Sequence, residues 1–227
     1  LKIIMPYNVY IYMALIDDKY LFIHINKSGG GFIMKNIEKN LSSDMKLTGS
    51  HRSLNDFINL TKSQYNICRE NIHVFTIVRN PWDRMLSLYL YYKTHNASEF
   101  FSNDNNINSD FKRWIKYIYS DNFDRRRIHS SVNIFNYCFS NQLNWLRDSK
   151  GNINIDTIFK FEDPDLHKKV KLFLEENLKV QDVDTETRCH PTIHNHYSSY
   201  YDYETMLLVK KHYQKDIDYF GYTYTSV

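Results

Sequence analysis

The fold of this chain is decided by the stretch from Tyr20 to Leu41, which reads YLFIHI, then NKSGGG, then FIMKNIEKNL. The first segment is a short apolar run between polar residues, which is typical of a buried strand. The third segment carries apolar residues at the helical period, namely Phe32, Ile33, Ile37 and Leu41. Three consecutive glycines lie between the two, so the stretch predicts a strand, a glycine loop and a helix, in that order.

Strand and helix patterns alternate along the rest of the chain. The predicted strands are His73 to Val78 and Thr157 to Phe161, and Val9 to Ile16 is predicted to pair with the first strand as a hairpin across Asp17-Asp18. The predicted helices are Leu54 to Leu60, Asn80-Pro81 to about Tyr92, Phe111 to Tyr119, Phe135 to Leu146, Pro164 to Leu174 and Tyr203 to Tyr213. This alternation predicts one α/β domain over residues 1–227, with a parallel sheet flanked by helices and a polar loop at about 94–109.

Composition excludes several classes of protein. The 227 residues carry 29 basic and 26 acidic side chains and a net charge of +3, which is not the charge of a duplex-binding protein. The three cysteines match neither a zinc spacing nor a disulfide framework, so we expect a reduced, cytoplasmic compartment. No apolar run reaches the roughly 18 residues of a membrane span, and Val9 to Ile16 is not expected to be a signal peptide.

The glycine loop has the composition of an anion cradle. The three consecutive glycines, Gly29, Gly30 and Gly31, let backbone N–H groups turn toward one point, and the N-terminus of the following helix adds a partial positive charge. Lys27 adds a full charge. The alternative is an ordinary flexible turn with a solvated lysine. The Lys precedes the glycines, so the loop is not a Walker A motif, and a nucleoside triphosphate with magnesium is not indicated.

The second motif, RNPWDRMLSLY, runs from Arg79 to Tyr89. Arg79 follows a strand, at the edge where open α/β sheets bind ligands. Arg84 and Ser87 share one face of the helix that follows. We expect Arg79 and Ser87 to converge on one phosphate, as a guanidinium fork and a hydroxyl. The alternative is that Arg79 and Arg84 pair with Asp83 or Glu162 and only hold the fold, and for Arg84 we favour this structural role.

Together the two motifs resemble those of the sulfotransferases that use 3'-phosphoadenosine 5'-phosphosulfate (PAPS). Lys27 to Phe32 resembles the 5'-phosphosulfate loop P-K-T-G-G-T-S, and Ile77 to Tyr89 resembles the 3'-phosphate motif R-[DN]-P-x-x-R-x-x-S-x-Y. Later segments resemble the carbohydrate-type branch, which includes heparan and chondroitin sulfotransferases and bacterial and viral relatives. These segments are NQ at 141–142, FKFE at 159–162, HNHYSSYYD at 194–202 and DIDYFGY at 216–222.

The resemblance implies a P-loop-like sheet and sulfuryl transfer from PAPS to an acceptor hydroxyl, here most readily on a carbohydrate. The product nucleotide would be adenosine 3',5'-bisphosphate, and the chemistry needs no metal. It implies that Lys27 and His51 are catalytic. The nucleotide-binding residues that it implies are Lys27, Ser28, Gly29, Gly30, Gly31, Phe32, Arg79, Ser87, His194 and Tyr197.

The general base has to be chosen among 10 histidines. His51 lies between the two anion motifs, where the resembled family has a base; the alternative is a capping or surface histidine. His24 is expected in the core. His190, His194 and His196 are interpreted as a loop that faces the ligand and not as a metal cluster.

The loop departs from the resembled pattern at several positions. Asn26 replaces Pro, Ser28 replaces Thr, and Gly31-Phe32 replaces T-S, which removes two hydroxyls. The backbone donors remain, so binding is expected to persist in a weaker form. Two other functions stay open: a P-loop-like kinase of small metabolites, and a phosphonucleotide-binding module that has lost catalysis.

Overall fold

The computed structural model describes residues 13–40, 46–48, 53–64, 68–95, 104, 107, 110–123, 138–186 and 194–227. The chain divides into two compact units. The first, here called the sheet unit, comprises Leu1–Arg79 and Gln142–Cys189, and the second, the helical unit, comprises Asn80–Asn141 and His190–Val227. The prediction that residues 1–227 form one domain stays a prediction.

The elements follow in chain order. The strands are β1 Met13–Ile16, β2 Tyr20–Ile23, β3 Lys46–Thr48, β4 His73–Val78 and β5 Thr157–Lys160. The α-helices are α1 Gly31–Asn40, α2 Leu54–Gln64, α3 Pro81–Thr94, α4 Phe111–Ile118, α5 Leu166–Leu178, α6 Tyr203–His212 and α7 Gln214–Phe220. Short 3-10 helices occur at Arg69–Asn71, Gln142–Trp145 and Tyr197–Tyr200.

The five strands form one sheet in the order β3-β1-β2-β4-β5. Strands β2, β4 and β5 are parallel, which confirms the predicted α/β class. Strand β1 is antiparallel to both of its neighbours, β2 and β3. The predicted hairpin is therefore confirmed for β1 and β2, and Asp17 and Asp18 at its turn have positive φ angles of 51° and 53°. The sequence analysis did not predict β3.

The core of the sheet unit explains why the central strands read as continuous apolar runs. Leu21, Phe22 and Ile23 of β2 are fully buried, as expected for strands covered on both faces. Apolar residues of α5 recur every four positions and join this core, namely Leu166, Val170, Leu174 and Leu178. Helix α1 adds Phe32, Ile33 and Ile37, so the packing of α1 fixes where the glycine loop leaves the sheet.

Helix α3 of the helical unit starts as predicted. The side chain of Asn80 accepts a hydrogen bond of 3.0 Å from the backbone N–H of Trp82, and Pro81 is the first helical residue. Arg84 is 0% exposed and donates to the carbonyl oxygens of Cys138 and Ser140. Arg84 therefore holds backbone carbonyls of its own unit, and its pairing with Asp83 or Glu162 stays a prediction.

One predicted helix, Phe135 to Leu146, is wrong from Phe139 onward. Within the described part of the span Phe135 to Leu146, residues Gln142–Trp145 form a 3-10 helix. Tertiary contacts decide this segment, because the amide of Gln142 bonds to the end of β4 and the side chain of Trp145 is fully buried. Helix α7 was not predicted. No helix in the described ranges has the length and apolar character to cross a bilayer.

Candidate anion-binding site

The loop between β2 and α1 is a tight turn over residues 26–30. Lys27 and Gly29 both have positive φ angles, 60° and 93°. The hydroxyl of the buried Ser28 donates to the carbonyl oxygen of Ile25 at 2.6 Å. Helix α1 begins immediately afterwards at Gly31, so the orphan N–H groups of its first turn adjoin the loop. The predicted order of strand, loop and helix N-terminus is confirmed.

Two of the glycines are required by their neighbours. A Cβ atom on Gly29 would lie 2.6 Å from Cδ2 of Phe161. A Cβ atom on Gly30 would lie 2.5 Å from Cδ2 of His24 and 2.8 Å from Cζ of Phe22. Real Cβ contacts are not this short, so any larger residue would displace the loop. The backbone at these two positions therefore packs directly against aromatic rings, which fixes the shape of the loop.

Arg79 lies at the same end of the sheet. Its backbone N–H donates to the Gln142 Oε1 atom at 2.9 Å, and the Gln142 Nε2 atom donates to the carbonyl oxygen of Arg79 at 2.8 Å. Its guanidinium lies 4.1 Å above the centroid of the Phe161 ring. One guanidinium nitrogen donates to the carbonyl oxygen of Lys27 at 3.1 Å. Arg79 is thus fixed at its backbone and at its side chain beside the loop.

The electrostatics of the loop favour an anion. Burial and, to a smaller extent, the nearby charge of Arg79 together lower the pKa of the Lys27 amine to about 7. Burial, followed by the charge of Lys27, lowers the pKa of His24 to about 4, so this imidazole is neutral at physiological pH. Two cationic side chains held this close disfavour each other's charge. A bound anion would relieve this cost.

The structure brings together the predicted residues of the first motif with Arg79. Lys27, Ser28, the glycines 29–31 and Arg79 lie around the loop of the sheet unit. Phe32 contributes only backbone there, because its side chain is 5% exposed and packs in the core, with its ring centroid 4.8 Å from that of His167. The role of each of these residues toward a ligand stays a prediction.

Three further predicted residues, Ser87, His194 and Tyr197, lie in the helical unit. Ser87 is buried on α3. His194 has its Nε2 atom 3.7 Å from the Asp83 Oδ1 atom, and its Nδ1 atom lies 2.7 Å from the carbonyl oxygen of Asn195. The hydroxyl of Tyr197 lies 2.8 Å from that of Thr225. That Ser87 and Arg79 converge on one phosphate stays a prediction.

His51, the predicted base, and His190 lie outside the described residues. Over the ranges that are described, no group of three or more His, Cys, Asp or Glu residues is placed to hold a metal ion.

Gln142 and Phe161 lie within the segments NQ and FKFE, and no sequence pattern indicates a role for either residue. Both act on Arg79 across long stretches of chain, Gln142 on its backbone and Phe161 on its guanidinium. Neither contact has a periodic signature. The one available signal was that each follows an apolar segment and lies in a stretch that resembled the same family.

A sequence model described as the sulfotransferase family matches residues 11–223 of the chain. The match includes the glycine loop, the Arg79 motif and the C-terminal segments. The searches of curated proteins and of solved structures each found no match.

Proposed function

The chain belongs to the sulfotransferase family, and from this premise we propose that it transfers the sulfuryl group of PAPS to a carbohydrate hydroxyl. The observation that carries the proposal is the pair of cations at the glycine loop. Lys27 and Arg79 are close enough for one to lower the pKa of the other, and Arg79 bonds to the backbone of Lys27. This arrangement suits a ligand with more than one anionic group, as PAPS has.

The proposed reaction is an in-line displacement at sulfur. The acceptor oxygen forms a bond to sulfur while the bond from sulfur to the bridging oxygen of the 5'-phosphate breaks. The acceptor proton passes to His51, and adenosine 3',5'-bisphosphate leaves. Lys27 stabilises the negative charge that grows on the bridging oxygen. Its position in the loop supports this role.

One further feature of the loop supports the proposal. At Gly29 and Gly30 the space of a Cβ atom is already filled by rings from within the protein. On the side of the loop that faces away from these rings, the two glycines therefore present backbone and no side chain. The backbone N–H groups remain the donors that the loop can offer, which compensates for the hydroxyls lost at Gly31-Phe32.

The choice of acceptor rests on the resemblance of the later segments to the carbohydrate-type branch. A cytoplasmic location is part of the same proposal and rests on the odd number and wide spacing of the cysteines.

Ligand-induced stabilisation separates the proposal from its alternatives. We expect adenosine 3',5'-bisphosphate to raise the melting temperature and ATP with magnesium to have little effect. The reverse result would favour a small-metabolite kinase. Labelled PAPS offered with panels of glycan, lipid, small-molecule and peptide acceptors then identifies the acceptor. Nucleotide binding without transfer to any acceptor would favour a module that has lost catalysis.

A further inference from the structure

We propose that Phe161 is a positioning residue for nucleotide binding, because one ring supports both the Arg79 guanidinium and the glycine-loop backbone. This inference rests on the proposed function and assigns to that site a residue that touches no substrate itself. Phe161 follows β5 directly, and its backbone N–H donates to the carbonyl oxygen of Val78 at 2.8 Å. The ring is therefore anchored beside the residue that precedes Arg79.

Two separate contacts of the Phe161 ring define this arrangement. The guanidinium carbon of Arg79 lies 4.1 Å from the ring centroid. Gly29 approaches so closely that its missing Cβ atom would lie 2.6 Å and 2.9 Å from two ring carbons. The distance between the loop and the guanidinium is thus set by the ring. A smaller apolar side chain would leave both without support.

An aromatic ring has a specific advantage here. A guanidinium above a ring gains a cation–π attraction that uses none of its in-plane N–H donors. One of them already donates to the carbonyl oxygen of Lys27. A carboxylate in the place of the ring would also hold the arginine, but it would compete with a phosphate for the same donors. The ring therefore orients the guanidinium without neutralising its positive charge.

The test is the affinity for adenosine 3',5'-bisphosphate, measured by calorimetry together with the melting temperature. We expect Phe161→Leu to weaken binding about tenfold, the scale of a lost cation–π contact. Phe161→Tyr keeps the ring and is expected to bind within about twofold of the wild type.

The matched control is Phe159→Leu, two residues earlier, on β5. Phe159 is partly buried against the hydrophobic core and lies beside Phe173, with ring centroids 5.6 Å apart. This variant is expected to lose stability and to keep its affinity. A further variant places Phe161→Leu in an Arg79→Ala background, where it should weaken binding less than it does alone.

The outcomes separate the two proposals. Wild-type protein that does not bind the nucleotide contradicts the proposed function, and this inference with it. Wild-type binding with an unchanged affinity in Phe161→Leu contradicts this inference alone. So does an equal loss of affinity in Phe159→Leu, or a Tyr variant as weak as the Leu variant, because the effect would then be one of general packing.

Discussion

The Lys27 amine is only partly protonated at neutral pH. Its pKa is lowered to about 7, first by burial and then by Arg79. Near pH 7 the empty site is therefore a mixture of charged and neutral amine. An anionic ligand binds the charged form, so binding is coupled to the uptake of a proton above this pH.

We predict that affinity for adenosine 3',5'-bisphosphate falls as the pH rises from 7 to 9. The phosphates, with a second pKa near 6, are already ionised over this range, so they do not produce the trend. Calorimetry at several pH values gives the slope. Lys27→Arg should flatten it, because a guanidinium stays charged. Lys35→Arg, at a partly exposed lysine 3.6 Å from Asp184, should leave it unchanged. A flat wild-type profile would show that Lys27 is fully charged in the free protein.

Arg79 is expected to distinguish nucleotides by their 3'-phosphate. Arg79→Ala should weaken the binding of adenosine 3',5'-bisphosphate by about 2–3 kcal/mol, the scale of a charge-assisted pair. It should hardly change the binding of adenosine 5'-phosphosulfate, which has no 3'-phosphate. Competition binding with both ligands measures the difference. Equal losses would move Arg79 out of the 3'-phosphate site.

At the scale of elements, the loop between β2 and α1 depends on steric exclusion as well as on flexibility. Gly30 has no positive φ angle that demands glycine, but a side chain there would meet His24 and Phe22. Gly221 is the opposite case, with a φ of 67° and open space around its missing Cβ atom. Gly30 is therefore required by the packing around it, and Gly221 by its left-handed backbone conformation.

We predict that Gly30→Ala weakens nucleotide binding more than tenfold, since the loop must move away from the rings behind it. Gly221→Ala should lower the free energy of unfolding by about 1–2 kcal/mol, the cost of a left-handed residue with a Cβ atom, and leave affinity unchanged. Binding and chemical denaturation of both variants test this pair. If Gly30→Ala binds like the wild type, the loop shape does not determine affinity.

Local signals were enough for the elements that build the loop. The apolar run at β2, the period of α1 and the Asn80-Pro81 start of α3 depend on neighbouring residues, and each was predicted. The 3-10 helix at Gln142–Trp145 was not, because its conformation is decided by the distant backbone of Arg79. The same reason hides Phe161, whose contacts lie on two other segments. Strand β3 is too short to carry a pattern.

At the scale of the whole molecule, His24 makes the free energy of unfolding depend on pH. Burial and the charge of Lys27 lower its pKa from 6.5 to about 4 in the folded state. Between these values the unfolded chain takes up a proton that the folded chain does not. This contribution to stability is therefore fully present above pH 6.5, is lost as the pH falls through about 4, and changes no further below that.

The melting temperature of the wild type is accordingly expected to fall between pH 6.5 and 4, and His24→Gln should fall less over the same interval. His95→Gln serves as the control, because His95 is exposed at the end of α3. Scanning calorimetry across the interval provides the curves. Parallel curves for the wild type and His24→Gln would mean that His24 takes up a proton without a cost to the fold.

Turnover by the intact protein tests the base. His51→Ala is expected to lose about 10²–10⁴-fold in rate and to keep its nucleotide affinity, since a base faces the acceptor. The wild-type rate should fall below a pH of about 6.5, where an unperturbed histidine becomes charged. Sulfate transfer at saturating PAPS is compared with that of His194→Ala and His196→Ala. Near-normal rates for His51→Ala, with losses at His194 or His196, would place the base on the C-terminal segment.

The hydrogen bonds of the Gln142 amide affect where the chain can accept insertions and deletions. The chain leaves the sheet unit after Arg79 and re-enters it at Gln142, and the two hydrogen bonds between these residues hold exit and entry side by side. An excursion whose ends already meet can change in length without stretching the sheet, because closing a flexible loop of twice the length costs only about 0.6 kcal/mol more. Insertions and deletions are therefore expected to accumulate within this excursion after the Arg79 to Tyr89 motif, while the glycine loop stays intact.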